Sequence, residues 1–334
     1  MRSTGQLVMV GLDRPEVPTG LARWLEQRGL GGVFLFGAAL GPPEATRALC
    51  RELQRRATAP LLIAVDQEGG RVQDWGPPHC PRLPSAREVG AAYGQSGDPA
   101  PVLDLGRRIG RALATAGINV DFAPVLDVDT NPANPIIGDR AFGSDAELVR
   151  IVGCLFARGL GDAGVIACGK HFPGHGDTAE DSHSTGPVVS ASADRLHAVE
   201  LAPFRAAIAA GLEMIMTAHV RYPTLDPERP ATLSPPILGE LLRRRLGFQG
   251  IVVTDDLKMR GIRDEYDLEE AALAALGAGC DLLLSATEHD RHEALLDGLE
   301  RARQERRLDE PRWRESLARI AAVKARRLES PRSA

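Results

Sequence analysis

Eight short apolar runs, each followed by a segment of helical periodicity, most constrain how this 334-residue chain can fold. The runs contain many β-branched and other apolar residues, as do strands that are buried on both faces of a parallel sheet. Regular alternation of such strands with helices predicts βα units. The predicted strands are residues 6–11, 32–36, 61–65, 120–125, 165–168, 214–218, 250–254 and 281–285. The predicted helices are residues 20–28, 43–57, 99–116, 145–162, 193–210, 236–246, 268–278, 288–304 and 310–327.

Polar residues at the strand ends favour a closed barrel over an open sheet. In a barrel the carboxyl ends of all strands meet at one mouth, whereas an open sheet gathers fewer of them at its switch point. We therefore predict an α/β fold, a single-domain (β/α)8 barrel of the TIM type over residues 1–328, followed by a polar tail, 329–334. The polar residues at or just after predicted strand ends are Asp66, Asp127, Lys170, His171, His219, Asp255 and Ser285.

The composition excludes several classes of partner. The formal net charge is −5 and the sequence contains no block of basic residues, which argues against nucleic acid and anionic membranes as partners. The apolar run at 7–10 is too short for a signal-peptide core, and no run approaches the ~20 apolar residues of a membrane span. The five cysteines lack CxxC spacing, which is typical of a reduced compartment. A cytoplasmic protein is expected.

The segment 170–183 carries the densest chemistry in the sequence. It holds three histidines, two aspartates, a glutamate and a lysine directly after an apolar run. Lys170 is notable because only three of the 40 basic residues are lysines, which indicates that a compact ammonium is required there. Pro173 and two glycines mark the segment as a loop on the predicted catalytic rim.

Two interpretations of this loop remain open from the residues alone. Asp181 and His183 lie two apart, so in an extended segment the carboxylate can orient and charge the imidazole, which makes a proton donor usable near neutral pH. Alternatively, His171, His175 and nearby carboxylates could bind a metal. Two features weigh against a metal site: Pro173 and Gly174 prevent the helix that would align His171 and His175 on one face, and the Lys170 ammonium would repel the ion. Histidines that simply stabilise a rim loop are a further possibility.

Three other strand ends offer candidate site residues. Asp255 and Asp256 follow the seventh strand and must point to opposite faces, so one of them can enter the mouth as a nucleophile for a glycosyl centre; a helix-capping role for Asp255 is equally open. Asp66 can accept hydrogen bonds from substrate hydroxyls, and Gly69 and Gly70 allow a tight turn beside it. An internal pair between Arg71 and Glu68 is an open alternative there.

Arg140 lies in a long loop after the fourth strand, and its guanidinium can donate two parallel hydrogen bonds to a ligand. An equally open alternative is that it stabilises this loop through a salt bridge with Asp139 or Asp127. The two long loops, 67–100 and 129–143, are rich in Gly, Pro and Asn and lie on the predicted catalytic rim, which indicates a functional role.

With these motifs assembled, the chain resembles the family 3 glycoside hydrolases, and among them the single-domain bacterial β-N-acetylglucosaminidases of the NagZ type. The matching motifs occur in the family's order, and KHFPGHG followed by DSH is the most specific of them. They are GGVFLF at 31–36, DQEGGRVQ at 66–73, FAPVLD at 122–127, IGDRAF at 137–142, KHFPGHG at 170–176, DSH at 181–183 and TDDLKM at 254–259.

The resemblance implies a retaining glycosidase that needs no cofactor or metal. By this analogy Asp255 is the nucleophile, and His183, assisted by Asp181, is the acid/base. The implied substrate is a carbohydrate with a terminal N-acetylglucosamine, such as an anhydro-muropeptide, and the implied state is a monomer. The residues that would bind the sugar are Asp66, Arg140, Lys170 and His171.

One position departs from the family pattern. Asp74 stands where the family commonly has a basic residue after Gly-Gly-Arg-Val-Gln, which bears on the detail of substrate binding and not on the chemistry. Two alternatives to the expected activity are a different β-glycoside specificity within the family and a non-catalytic sugar-binding barrel. A metal-dependent hydrolase is the third alternative.

Overall fold

The structure, a computed structural model, describes residues 3–179, 186–286 and 289–329, without the side chains of 289, 290 and 329. Eight parallel strands form one sheet in which each strand pairs with its neighbours in chain order, and the first pairs with the eighth. A parallel bridge between Val253 and Leu282 joins the seventh strand to the eighth and closes the barrel. The strands are β1 Val8–Leu12, β2 Gly32–Leu35, β3 Leu62–Val65, β4 Val120–Asp121, β5 Ile166–Phe172, β6 Met214–Thr217, β7 Ile251–Val253 and β8 Leu283–Ser285.

Helices surround the barrel. Their apolar faces cover the strands from outside, so the strands are buried on both faces, as their continuous apolar runs require. They are α1 Thr19–Arg23, α2 Pro43–Arg56, α3 Ala86–Ser96, α4 Ala100–Ala116, α5 Ala146–Asp162, α6 Ala193–Ala198, α7 Leu201–Ala209, α8 Arg260–Arg263, α9 Leu268–Ala278, α10 His289–Gln304 and α11 Glu310–Lys324. Wider π-helical turns occupy Trp24–Arg28, Pro236–Arg245 and Ala325–Glu329. Among the described residues, no helix is both long enough and apolar enough to span a bilayer.

The predicted (β/α)8 barrel is confirmed, and the differences lie on the rim. All eight predicted strands are present, and β5 continues four residues past its predicted end to Phe172. The segment 67–100, predicted to be a loop, contains a short hairpin, Gln67–Gly69 with Val72–Gln73, and the helix α3. Ser85 and Glu88 form a capping box at the start of α3, and this Ser-x-x-Glu signal could have predicted it.

The predicted helix 193–210 is two helices, α6 and α7. The chain turns between them at Val199, where φ is −113° and ψ is −73°. The predicted polar tail lies outside the described residues, apart from Glu329 at the end of the last helical turn.

The amino-terminal end of the barrel buries a lysine. Lys324, at the end of α11, is fully buried and donates a hydrogen bond to Gln6 Oε1 at 2.8 Å. Burial lowers the pKa of this ammonium from 10.5 to about 7, because a charge without water around it is costly. Above about pH 7, therefore, the unfolded chain binds a proton that the folded chain has lost.

This shift predicts that stability rises with pH above neutrality. We expect the free energy of unfolding of the wild type, relative to that of Lys324→Met, to increase by about 1–3 kcal/mol from about pH 7 to about pH 9.5. Urea denaturation of both proteins at both pH values measures the difference, and the subtraction cancels the titration of other groups. If the difference in free energy of unfolding between the two proteins does not change with pH, the lowered pKa of Lys324 is contradicted.

Candidate active site

Lys170 is the centre of the polar cluster in the barrel mouth. It lies on β5, and its side chain is only 2% exposed. Its Nζ lies 2.5 Å from Asp66 Oδ1, at the end of β3, and 2.6 Å from Glu68 Oε1 in the short hairpin that follows. Burial by itself would lower the pKa of Lys170, but the two carboxylates raise it above its ordinary value, so the ammonium stays charged.

Glu68 joins Lys170 to Arg140. Arg140 donates to Glu68 through Nε at 2.9 Å and through Nη2 at 2.8 Å, a bidentate pair in which Glu68 is 3% exposed and Arg140 is 11% exposed. Burial opposes ionisation of Glu68, but the charges of Arg140 and Lys170 lower its pKa to about 2. One buried carboxylate thus fixes both cations at the mouth.

His171 is held beside this cluster by Asp127. The Asp127 carboxylate, which is fully buried, lies 2.7 Å from His171 Nδ1 and also accepts the His171 backbone N–H at 3.1 Å. Burial would raise the pKa of Asp127, but His171 and the surrounding N–H donors lower it. The carboxylate therefore favours a proton on Nδ1, which leaves Nε2 facing Arg140 Nη2 at 3.5 Å.

The loop that follows β5 is anchored at several points in its first half. The His175 N–H donates to Asp127 Oδ1 at 2.6 Å, and its ring Nδ1 lies 2.9 Å from Thr178 Oγ1. The Tyr222 hydroxyl donates to the Gly174 carbonyl. Gly176 packs so closely that a Cβ there would lie 1.8 Å from the Val128 carbonyl oxygen. This half of the loop is a scaffold packed against the barrel.

His175 is buried inside that scaffold. Burial, followed by the charge of His171, lowers its pKa to about 4, so the ring is neutral near physiological pH. This placement agrees with the possibility, left open by the sequence, that a histidine of this segment stabilises the rim loop. Among the described residues, no group of three histidine, cysteine, aspartate or glutamate side chains is placed to hold a metal ion.

Asp255 and Asp256, which follow β7, make different contacts. Asp256 accepts hydrogen bonds from the N–H groups of Lys258, at 3.2 Å, and Ala286, at 3.1 Å, so it ties the β7 loop to the end of β8. Asp255 is partly exposed, and its charge acts on both His175 and Cys168 of β5. The Asp255 carboxylate also accepts the Asp256 N–H at 2.8 Å, and its position two residues after β7 places it at the carboxyl end of the barrel.

The structure brings together Asp66, Arg140, Lys170 and His171, the four predicted sugar-binding residues. Asp181 and His183 lie outside the described residues. The alternative in which Arg71 pairs with Glu68 is not observed. The Gly69–Gly70 turn directs Arg71 outward, where its Nε lies 2.7 Å from Asp139 Oδ1.

Neither contact of Glu68 with a cation follows from the sequence reasoning. The salt bridge suggested for Arg140 with Asp139 or Asp127 is replaced by the buried pair with Glu68, which also pairs with Lys170. Glu68 itself was not recognised as a site residue. Its position two residues after Asp66, on a strand, was the available signal, because alternate residues share a face.

This arrangement suits recognition of a polyhydroxylated ring. Two fixed cations supply hydrogen-bond donors, and Asp66, whose side chain is 29% exposed, supplies an acceptor at the same edge of the mouth. Asp255 lies at the same end of the barrel, two residues after β7.

Comparison with known proteins agrees with this geometry. Residues 2–323 match the glycosyl hydrolase family 3 N-terminal domain. A beta-hexosaminidase from Thiobacillus denitrificans is 41% identical over 275 residues, covering 81% of this chain and 75% of that protein. Beta-hexosaminidase A from Pseudoalteromonas piscicida is 35% identical over 93% of this chain, which spans only 56% of that protein.

Solved structures of family 3 enzymes are also similar to this chain. A family 3 β-N-acetylglucosaminidase from Paenibacillus sp. str. FPU-7 superposes with a TM-score of 0.94 at 42% identity, over 99% of this chain and 63% of that one. NagZ from Neisseria gonorrhoeae, in complex with N-trifluoroacetyl-D-glucosamine, superposes with a TM-score of 0.80 at 32% identity, over 95% of this chain and 93% of that one. The chain therefore belongs to glycosyl hydrolase family 3 and is an enzyme of that family.

Proposed function

We propose that the protein is a retaining exo-β-N-acetylglucosaminidase. The observation that carries this proposal is the cluster of Lys170, Arg140 and Asp66 at the mouth, with Asp255 at the same end of the barrel after β7. The names of the relatives, beta-hexosaminidase and β-N-acetylglucosaminidase, support the same sugar specificity.

The terminal sugar binds through the fixed charges. Lys170 and Arg140 donate hydrogen bonds to ring hydroxyls, and Asp66 accepts from them. His171, oriented by Asp127, adds a further polar contact from the same strand end. Since Glu68 holds both cations before substrate arrives, little side-chain entropy is lost when the sugar binds.

Cleavage proceeds by double displacement in this proposal. The Asp255 carboxylate attacks the anomeric carbon while His183 gives its proton to the leaving oxygen, so the glycosidic bond breaks as the bond to Asp255 forms. His183 then takes a proton from water, whose oxygen displaces Asp255 and releases the sugar. Asp181 orients and charges His183. The roles of Asp181 and His183 rest on the DSH motif, since both lie outside the described residues.

The proposed natural substrate is a cell-wall fragment of the anhydro-muropeptide class, cleaved in the cytoplasm by a monomer during peptidoglycan recycling. The motif resemblance and the likeness to NagZ support this choice. The acid/base and the nucleophile are both protein side chains, so the proposed reaction requires no cofactor.

The proposed function is tested with a panel of aryl β-glycosides, measured with and without a chelator. We expect release of aryl alcohol from the β-N-acetylglucosaminide and no loss of rate with the chelator. Preference for the β-glucoside would assign another specificity within the family. Loss of activity with the chelator, together with bound metal in the purified protein, would favour a metal-dependent hydrolase. Tight binding of N-acetylglucosamine without turnover would favour a sugar-binding barrel.

Adjacent aspartates provide a matched test of the nucleophile. We expect Asp255→Ala to lower kcat by about 10⁴-fold or more, because the variant lacks the carboxylate that forms the glycosyl-enzyme in this proposal. The control is Asp256→Asn, which keeps an acceptor for the N–H groups of Lys258 and Ala286 and should retain kcat within about tenfold. Near-normal turnover by Asp255→Ala on the aryl β-N-acetylglucosaminide would rule out the assignment.

Glu68 should matter for binding through the two cations that it holds. We expect Glu68→Gln to lower kcat/KM by about 10- to 100-fold, because Lys170 and Arg140 lose a buried charge-assisted partner. Glu147→Gln is the control, since Glu147 also pairs with an arginine but on the exposed surface. Steady-state kinetics on the two variants make the comparison, and equal, small effects would show that the buried pairs do not organise the site.

A further inference from the structure

His219 is a buried histidine at the strand ends that the proposed reaction does not use. It lies two residues after β6 and is 1% exposed. The pairing of β6 with β7 places Met216 opposite Val253, so three residues further along both strands His219 comes beside Asp256. Asp255, the proposed nucleophile, is the residue before Asp256. His219 therefore lies next to the backbone that carries the nucleophile, although it belongs to the neighbouring strand.

The imidazole of His219 is hydrogen-bonded to the turn after β7. Its Nε2 lies 3.0 Å from the Asp256 carbonyl oxygen. A carbonyl oxygen can only accept, so Nε2 must carry a proton and donate it to this bond. The same carbonyl accepts the Met259 N–H at 2.9 Å, which closes the turn. His219 thus ties this turn to the end of β6.

Two threonine hydroxyls fix the orientation of the His219 ring. Thr232 Oγ1 lies 2.7 Å from His219 Nδ1. It also lies 2.8 Å from Thr217 Oγ1 and 3.0 Å from the Ala218 carbonyl oxygen, and both threonines are fully buried. Since both ring nitrogens have buried partners, rotation of the ring would break two hydrogen bonds. The imidazole is therefore a rigid connection between β6 and the turn after β7.

The contact at Asp256 bears directly on Asp255. The Asp255 carboxylate accepts the Asp256 N–H at 2.8 Å, so the orientation of the Asp256 backbone helps to set the position of that carboxylate. On the opposite side, the Asp256 carboxylate accepts the Ala286 N–H at 3.1 Å, next to β8. The turn is thus held from both neighbouring strands, by His219 beside β6 and by Ala286 beside β8.

We propose that His219 is a positioning residue for the attack step, which holds the Asp255 carboxylate in place through the backbone of Asp256. Attack on an anomeric carbon depends on the placement of the attacking oxygen, and a displacement of about 1 Å can cost about 10²-fold in rate. This inference rests on the proposed function, in which Asp255 is the nucleophile. His219 itself needs no contact with the sugar, so its loss should impair attack and leave sugar binding intact.

The test compares His219→Phe with His219→Gln on aryl β-N-acetylglucosaminides with good and poor leaving groups. Phenylalanine keeps a ring without a donor, whereas the glutamine amide can still donate to the Asp256 carbonyl. We expect His219→Phe to lower kcat/KM by about 10- to 100-fold on both kinds of substrate, because attack by Asp255 is common to both. His219→Gln should retain kcat/KM within about fivefold of the wild type. The dissociation constant for N-acetylglucosamine, measured by calorimetry, should change less than about threefold in both variants.

Ser316→Ala is the matched control. It also removes a buried hydrogen bond to a backbone carbonyl, that of Cys280, but on α11 and before the start of β8. It should keep the wild-type kcat/KM whatever its effect on the free energy of unfolding in urea. A wild-type kcat/KM in His219→Phe, a loss confined to poor leaving groups, an equal loss in His219→Gln, or a loss matched by weaker sugar binding would each overturn the proposal.

A second variant decides if His219→Phe does not fold, as judged by circular dichroism. Thr232→Val keeps the imidazole but removes the hydroxyl that orients it. It should lower kcat/KM by about three- to tenfold on both kinds of substrate, the size of one lost hydrogen bond. Wild-type kinetics in Thr232→Val would then count against the positioning role.

Crystal structures of the wild type and His219→Phe separate this proposal from the proposed function. A wild type that cleaves no aryl glycoside would contradict the proposed activity, and the position of the Asp255 carboxylate would still report on His219. We expect that carboxylate to move by about 1 Å or more in His219→Phe. An Asp255 carboxylate in the same place in both proteins would contradict the role of His219.

Discussion

The mouth of the barrel depends on a buried ammonium, that of Lys170, held between the carboxylates of Asp66 and Glu68. A lysine that is 2% exposed can stay charged only because these partners offset the cost of removing it from water. Glu68 in turn fixes Arg140, so one chain of ion pairs orders residues from β3, its hairpin, the loop after β4 and β5. A sugar ring that enters meets donors already in position.

The scaffold explains why such a costly arrangement is stable. Closure of the barrel by the bridge between Val253 and Leu282 brings the carboxyl ends of all eight strands to one rim. The loop after β5 is then secured by Asp127, which accepts N–H groups from His171 and His175, and by the close packing of Gly176 on Val128. These contacts hold the first half of that loop, and the DSH motif begins two residues beyond its last described residue, Ala179.

Much of this could be predicted from the sequence because strand periodicity and strand-end polarity are local signals. They gave all eight strands and placed Asp66, Lys170, His171 and Asp255 at the mouth. The partners of these side chains were harder to predict, since they depend on how the hairpin after β3 folds. Arg71 follows Glu68 closely in sequence, yet the Gly69–Gly70 turn sends it outward to Asp139 and leaves Glu68 to the two buried cations. Asp74 departs from the family pattern in the sequence, but its contact with Asp66 depends on the folded hairpin.

The most direct measurement is a crystal structure of the Asp255→Asn variant with an aryl β-N-acetylglucosaminide bound. The terminal sugar should lie in the barrel mouth with its hydroxyls within hydrogen-bond distance of Asp66, Lys170 and Arg140, and with its anomeric carbon next to position 255. A sugar bound elsewhere, or one in the mouth that leaves Lys170 and Arg140 without contact to it, would contradict the assignment of this cluster as the sugar-binding site.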